Sequence, residues 1–227
     1  MRKTLVCVSV YGRDEEELGR RVSAALQQGA DLAEARLDLT NITNWDKVYA
    51  ILKPYADRLI LTLRPVGEGG KSTLSDGERI ELLEKLAGMG AAYVDVELKA
   101  VGENVEERLR KLGCRLIVSW HSFETTPETS TLVNMAEQAL KHGDIAKIVT
   151  FSTSVEHNFR IISLYTYLPC DKLVAFCMGE KGMITRLLSM AAGAPIAYAS
   201  LDDAETAPGQ LPLSKMLETR KRILEGR

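Results

Sequence analysis

The stretch Ile145-Ala146-Lys147-Ile148-Val149 is typical of a strand buried on both faces, except for the lysine at its centre. Burying an ammonium group is costly unless the group is paired with a carboxylate or gives up its proton. A neutral lysine amine in a dry pocket can attack a ketone or aldehyde and form a Schiff base. Taken alone, Lys147 favours the simpler explanation, a structural ion pair, and the rest of the chain has to decide between the two.

Similar apolar runs alternate with amphipathic segments along the whole chain. The predicted strands are Leu5–Val10, Ala33–Leu39, Leu59–Leu63, Tyr93–Leu98, Leu116–Trp120, Ile145–Phe151, Leu173–Cys177 and Pro195–Ala199. The predicted helices include Glu15–Gln28, Asp76–Ala87, Pro127–His142, Lys181–Ala192 and Pro212–Glu225. Eight β-then-α units without a Ser/Gly-rich linker predict a single-domain (β/α)8 TIM barrel over residues 1–227. A doubly wound open sheet is the alternative, but its usual glycine-rich turn after the first strand is missing.

The composition is that of an ordinary globular domain and argues against several function classes. A net charge of -2 provides no electrostatic footprint for nucleic acid or for an anionic membrane. No run approaches the roughly 20 apolar residues that span a bilayer, and the N-terminal stretch alternates like a strand rather than a signal peptide. The four cysteines show neither a C-x-x-C pair nor metal-ligand spacing, so we expect reduced thiols, no metal and a cytoplasmic protein.

Several predicted strands carry charged side chains at their C-terminal ends, where barrel active sites are built. In the second strand, alternation places Glu34, Arg36 and Asp38 on one face. A solvated edge strand would explain this pattern in isolation, but a closed barrel has no edges. The further candidates for the interior are Arg64, Asp95, Glu97, Lys147 and Arg186. Together these acids and bases form a nearly neutral cluster, which can bind a small polar substrate.

His121 ends the fifth predicted strand, which is the neighbour in barrel order of the strand with Lys147. A lone histidine at such a position is more often structural. Beside an amine nucleophile, however, it supplies the acid/base partner that Schiff-base chemistry requires. Two loops at the same end are also candidates. The glycine-rich loop 64–71 is explained equally well as a mobile active-site loop or as a flexible connection, whereas the long loop 200–211 favours a lid.

In combination, these residues resemble the type I 3-dehydroquinate dehydratases, which are Schiff-base (β/α)8 lyases of the shikimate pathway. The matching pieces follow one another in order from Ser9 to Gln210. They are Ser9-x-x-Gly12-Arg13-Asp14, Glu34-x-Arg36-x-Asp38, Arg64 with Glu68-Gly69-Gly70, Asp95-x-Glu97, Ser119-x-His121, Asp144-Ile145-x-Lys147, Met178-Gly179 with Arg186, and Ala207-Pro208-Gly209-Gln210. No single piece is strong, but their common order at predicted strand ends is specific.

The resemblance implies a role for each matching residue. Lys147 would be the Schiff-base lysine and His121 the general acid/base, with Glu68 in the loop near the histidine. The substrate-contacting positions would be Ser9, Glu34, Ala35, Arg36, Arg64, Arg186, Thr206 and Gln210. The resemblance further implies a homodimer that acts on the small molecule 3-dehydroquinate without a metal or a cofactor. Two departures are Ser122, where many relatives have aspartate, and Thr206, where serine is common.

The implied chemistry requires that Lys147 be neutral when it attacks the substrate ketone. Its predicted neighbours act in opposite directions: Arg64 and Arg186, together with burial, favour the neutral amine, whereas Glu34, Asp38 and Glu97 oppose it. Two other functions stay open on the residues. A Schiff-base aldolase would also use Lys147, but would often need a glycine-rich phosphate site. A non-catalytic barrel that binds a small carboxylate would not need both Lys147 and His121.

Overall fold

Eight parallel strands alternate with eight helices in the computed structural model, which describes residues 4–102, 104–201 and 209–225. The strands are β1 (Leu5–Val10), β2 (Leu32–Arg36), β3 (Leu59–Thr62), β4 (Tyr93–Glu97), β5 (Arg115–His121), β6 (Ile145–Phe151), β7 (Leu173–Met178) and β8 (Ile196–Ala199). The helices are α1 (Glu15–Gln27), α2 (Trp45–Leu52), α3 (Asp76–Ala87), α4 (Val105–Lys111), α5 (Thr129–His142), α6 (Val155–Tyr167), α7 (Met183–Ala191) and α8 (Leu213–Glu225).

The strand order is that of a barrel, which confirms the predicted fold class and excludes the doubly wound sheet. Parallel ladders join the strands in the order β7-β6-β5-β4-β3-β2-β1-β8. Among the described residues no ladder joins β7 to β8, so the barrel is nearly closed rather than fully closed as predicted. The rings of Phe176 on β7 and Tyr198 on β8 lie 6.2 Å apart between centroids and pack next to this seam.

Alternation along the strands separates two apolar layers. Residues such as Val8, Ala33 and Val118 face the helices and belong to the outer core. The inward positions near the N-terminal ends of the strands fill the barrel with a second apolar cluster. Its strand members include Cys7, Leu32, Ile60, Tyr93, Ile117, Ile145, Val174 and Ile196. Further along the strands the inward positions become polar, and the register pairs Ser119 with Lys147.

The second strand is shorter than predicted. β2 ends at Arg36, and Leu37–Leu39 form a single 3-10 turn. The alternation of side chains stops at this turn, because only an extended backbone has a period of two. The prediction that Asp38 shares a strand face with Glu34 was therefore wrong.

The N-terminus of α3 is fixed by a capping box. Ser75 Oγ accepts a hydrogen bond from the backbone N–H of Glu78, and the Glu78 carboxylate accepts one from the backbone N–H of Ser75. Arg79 follows directly on this turn and is only 1% exposed. The cap thus positions a buried arginine over the C-terminal ends of β3 and β4. In the described part of the chain, no helix is long and apolar enough to cross a membrane.

Candidate active site

A pocket opens inside the barrel mouth, at the C-terminal ends of the strands. Its lining contains nearly all of the predicted site residues that the structure describes. The lining residues are Ser9, Glu34, Arg36, Arg64, Glu68, Gly69, His121, Phe123, Lys147, Val149, Phe176, Met178, Arg186, Tyr198 and Gln210. The fold thus brings Lys147 and His121 into one concave site, as the order of the strands predicted.

Lys147 lies on the inward face of β6 and is 4% exposed. Its Nζ donates hydrogen bonds to Glu34 Oε1 at 3.1 Å and to Asp95 Oδ2 at 2.9 Å. The same nitrogen lies 4.2 Å from the centroid of the Tyr198 ring. The two explanations of Lys147 are therefore not exclusive, because the buried ion pair is itself part of a pocket that a ligand can enter.

The two carboxyl groups beside Lys147 are ionised. Burial opposes the charge of each group, but nearby cations outweigh it. Lys147 and Arg36 hold the pKa of Glu34 below its usual value. Arg64 and Lys147 hold the pKa of Asp95 well below its usual value. A positive charge at the Lys147 nitrogen is thus stabilised from two sides.

Arg64 connects the neighbouring strands through its guanidinium group. Nη1 donates to Glu97 Oε1 at 2.7 Å and to Ser119 Oγ at 2.6 Å, and Nη2 donates to Asp95 Oδ1 at 2.9 Å. Burial opposes its charge, but the carboxylates of Asp95 and Glu97 raise the pKa of Arg64 above its ordinary value. Arg64 lines the pocket, as predicted, while its terminal nitrogens hold protein acceptors in place.

His121 is oriented by Glu68. Glu68 Oε2 lies 3.1 Å from His121 Nδ1 and also accepts a hydrogen bond from the backbone N–H of His121 at 3.1 Å. Burial, with the charges of Arg64 and Lys147, lowers the pKa of His121 well below its ordinary value. The imidazole is therefore neutral near pH 7. When Nδ1–H donates to Glu68, Nε2 is the basic nitrogen.

Burial also acts on Glu68 and raises its pKa to about 7. The nearby carboxylates of Glu97 and Asp95 add to this rise, whereas Arg64 opposes it. Glu68 is thus half ionised near neutral pH, and its charge is available to stabilise an imidazolium when His121 takes up a proton.

The loop after β3 is an ordered element rather than a flexible connection. Val66–Glu68 form a 3-10 turn, and a bridge joins Pro65 to Ser72. A Cβ atom at Gly70 would lie 2.1 Å from the carbonyl oxygen of Arg64, so only glycine allows this close approach. The tight turn directs Glu68 towards His121.

Two residues of the second β-strand region differ from expectation. Asp38 does not line the pocket, but accepts two hydrogen bonds from Arg36, at 2.9 and 2.8 Å. Ala35 is fully buried in the outer core, because side chains alternate along β2 and its methyl group faces the helices. Ala35 and Arg36 were both predicted substrate contacts. The Ala35 side chain lies outside the pocket, whereas Arg36 lines it.

Arg186 reaches the pocket from α7 and is 2% exposed. Its guanidinium carbon lies 4.2 Å from the centroid of the Phe176 ring. This stacking holds the planar group in one orientation, which suits the binding of a carboxylate by two parallel hydrogen bonds.

The predicted lid is described only at its two ends. Residues 202–208, which include Thr206, lie outside the described residues. Ser200 and Leu211 are joined by a backbone hydrogen bond of 3.0 Å, and Gln210 is buried and lines the pocket. Gly209 lies so close to Gly179 that a Cβ atom would be 2.6 Å from its carbonyl oxygen. The end of the loop is thus packed over the barrel mouth.

Some residues of the site were missed in the sequence. Phe176, Met178 and Tyr198 occupy inward positions, which the alternation along β7 and β8 could have revealed. Phe123 follows β5 and carries no such signal. Within the described ranges, no group of His, Cys, Asp and Glu side chains is arranged to hold a metal ion, and all four cysteine thiols are free.

Comparisons with known proteins agree with this geometry. The family model of the type I 3-dehydroquinases matches residues 6–224. The chain belongs to the type I 3-dehydroquinase family. A 3-dehydroquinate dehydratase of Pyrococcus abyssi is 40% identical over 200 residues, which cover 87% of this chain and 90% of the relative.

Solved structures of 3-dehydroquinate dehydratases share the same barrel. A 3-dehydroquinate dehydratase from Geobacillus kaustophilus is similar with a TM-score of 0.89 and 27% identity, covering 99% of this chain and 92% of that one. The 3-dehydroquinate dehydratase from Aquifex aeolicus VF5 gives a TM-score of 0.83 at 31% identity, covering 96% of this chain and 98% of that one. The family resemblance seen in the motifs is thereby confirmed.

Proposed function

We propose that this protein is a 3-dehydroquinate dehydratase of the shikimate pathway that works through a Schiff base on Lys147. The observation that carries the proposal is the meeting of a buried lysine amine and a neutral histidine in one barrel mouth, in a chain of this family. The pathway step belongs to the cytoplasm, where the free thiols would stay reduced.

The first step is the formation of the iminium. The neutral Nζ of Lys147 attacks C3 of the substrate and forms the new C–N bond, and the carbonyl oxygen leaves as water with the uptake of one proton. Glu34 and Asp95, at 3.1 and 2.9 Å from Nζ, stabilise the cationic product. The iminium withdraws electrons from the adjacent carbon and so acidifies its C–H bond.

The second step is the elimination, in which His121 transfers the proton. Its basic nitrogen removes the proton from the carbon next to the iminium, which leaves an enamine. The enamine expels the β-hydroxyl group, and the protonated imidazole delivers its proton to this leaving group, so that water departs. Hydrolysis of the conjugated iminium then releases 3-dehydroshikimate and restores the Lys147 amine. Ionised Glu68 stabilises the transient imidazolium.

The remaining pocket residues hold the substrate. Arg186 binds the carboxylate in bidentate fashion, because its guanidinium is fixed by the Phe176 ring. Gln210 binds a ring hydroxyl, and the family resemblance assigns the same role to Thr206, which lies outside the described residues. Further polar contacts come from Ser9, Glu34, Arg36 and Arg64, while at Ala35 only the backbone is left for a contact.

We further expect a homodimer. On α6, Val155 and Phe159 are exposed one helical turn apart, and on α7 the same holds for Ile184 and Leu188. Such a surface is suited to a second copy of the chain. Sedimentation of the native chain should give a dimer, and Phe159→Glu should give a monomer. A native monomer would contradict the dimer, and a dimeric Phe159→Glu variant would place the contact elsewhere.

The activity is tested by the product's conjugated enone. Purified protein mixed with 3-dehydroquinate should produce the enone absorbance, and Lys147→Met should produce none while folding like the native chain. If the native protein forms no enone at any pH between about 6 and 9, the proposed activity is wrong.

A further inference from the structure

The charge of Lys147 is balanced by a chain of hydrogen bonds that extends beyond the pocket. Lys147 contacts Asp95 at 2.9 Å, Asp95 contacts Arg64 at 2.9 Å, and Arg64 contacts Glu97 at 2.7 Å. The chain continues, because the second oxygen of Glu97 accepts a hydrogen bond from Arg79 Nη1 at 2.6 Å. Asp95 and Glu97 are fully buried.

Arg79 comes from α3 and does not line the pocket. Besides Glu97, its Nη1 contacts the carbonyl oxygen of Leu63 at 2.8 Å, and its Nη2 contacts Asp76 at 2.6 Å. Burying an arginine is costly unless its charge is matched. The buried matching charge is Glu97, because the other partner, Asp76, is about half exposed to solvent. Arg79 therefore belongs electrostatically to the catalytic network, although it lies outside the barrel.

Apart from Asp76, the half-exposed partner of Arg79, the network contains as many acids as bases when Lys147 is protonated. The acids are Glu34, Asp95 and Glu97, and the bases are Lys147, Arg64 and Arg79. When Lys147 gives up its proton, the network has one net negative charge. Without Arg79 it would have two, and the additional negative charge would favour the ammonium over the reactive amine.

Other charged or titratable groups also face this region, and they stay the same when Arg79 or Glu97 is substituted. They are Cys7 on β1, Arg36 on β2 with its partner Asp38, Glu68 in the loop after β3, Asp76 on α3, His121 on β5, Tyr198 on β8 and Arg186 on α7. Because Glu68 has a pKa of about 7, its titration has to be removed from the measurement.

We propose that Arg79 is a positioning residue for the Schiff-base step. It offsets the charge of Glu97 and holds that carboxylate against Arg64, and so it limits the negative charge around the Lys147 amine. This inference rests on the proposed function, since only an amine that reacts has to be neutral.

The test measures the rate of borohydride-trapped adduct on Lys147 against pH, in a Glu68→Gln background. Arg79→Met should move the midpoint of the pH profile up by about one unit, equal to roughly ten-fold slower trapping at a fixed pH below the midpoint. Glu97→Gln removes a negative charge and should move the midpoint down. The double variant Arg79→Met/Glu97→Gln should return it to the native position, and Arg79→Lys, which keeps the charge, should leave it unchanged.

A purely structural role would give a different pattern. If folded Arg79→Met and Arg79→Lys slow the reaction equally and share the native midpoint, the inference is overturned. If Arg79→Met does not fold, Glu97→Gln and the double variant are compared instead. The inference is supported if Glu97→Gln lowers the midpoint of the pH profile and the added Arg79→Met returns it to the native value. It is overturned if these two variants have the same midpoint. If the protein that retains Glu68 forms no trapped adduct on Lys147, the proposed function itself is contradicted.

Discussion

One carboxylate oxygen of Glu68 contacts His121 twice, through the backbone N–H and through Nδ1, each at 3.1 Å. The contact joins the loop after β3 to the end of β5 and holds both the ring and its backbone. Since Nδ1 is engaged, Nε2 is the nitrogen that can exchange a proton with a ligand in the pocket. Glu68 is thus a positioning residue for the histidine, and its burial makes the site sensitive to pH.

The stability of the protein should depend on the titration of Glu68. Its pKa in the folded state is about 7, above the ordinary value of 4.5, so the folded state binds this proton more tightly than the unfolded state. The stabilising contribution is complete below pH 4.5 and is lost as the pH rises through 7. Relative to native protein, Glu68→Gln should therefore gain up to about 3 kcal/mol between these limits.

Urea unfolding of both proteins between pH 4.5 and 8 measures this difference. Glu137→Gln on the exposed side of α5 is the matched control for the loss of a carboxylate. A difference between native and Glu68→Gln protein that does not change with pH would show that folding does not raise the pKa of Glu68.

Substitution of Gly70 should impair catalysis through Glu68. Gly70→Ala places a methyl group 2.1 Å from the carbonyl oxygen of Arg64, so the loop has to move and Glu68 with it. A misplaced acid/base group lowers the turnover by roughly 10- to 100-fold. Gly77→Ala on α3 meets no atom within 4 Å and should keep the native turnover. Steady-state kinetics of the two variants check this, and equal turnover in both would contradict the role given to the loop.

Removal of the imidazole should separate the two chemical steps. In His121→Ala the trapped adduct on Lys147 should still form, because Nζ attacks without this group. Turnover should fall by roughly 10²- to 10⁴-fold, the usual contribution of general acid–base catalysis. Intact-protein mass and enone absorbance measure the two steps in parallel. If adduct and turnover are lost equally, His121 acts in amine addition as well.

Arg186 should determine the affinity for the substrate carboxylate. Arg186→Gln should raise KM by roughly 10- to 100-fold, because a hydrogen bond between charged groups is worth about 1.5–3 kcal/mol. Arg222→Gln, on the exposed surface of α8, is the control and should leave KM unchanged. A substrate amide, which lacks the negative charge, should bind native and Arg186→Gln protein about equally. A large difference between them would place the carboxylate elsewhere.

Much of the site was predictable, because strands of a barrel have a simple geometry. Alternation placed Lys147, Glu34 and Asp95 inside, and the order of the strands made His121 a neighbour of Lys147. The sequence could not show which carboxylate pairs with which cation inside the barrel. Asp95, not Asp38, is the second partner of the lysine, since the strand ends before Asp38.

Contributions from outside the strands were the least predictable. Arg79 lies on a helix whose charged residues mostly face solvent, and nothing in its neighbours distinguishes it from them. Its burial depends on the orientation of α3 against the barrel, which is a property of the tertiary packing. The seam between β7 and β8 is of the same kind, because closure of the barrel depends on the registers of all the strand pairs around it.

The Schiff base on Lys147 is tested most directly by the mass of the peptide that contains this residue. Native protein incubated with 3-dehydroquinate and borohydride, then digested, should carry a substrate-derived mass on the peptide that contains Lys147. Lys147→Met should carry none, and Lys181→Met, which changes an exposed lysine, should label like the native chain. A native protein that converts the substrate without labelling at Lys147, or a label on another lysine, would exclude Lys147 as the Schiff-base lysine.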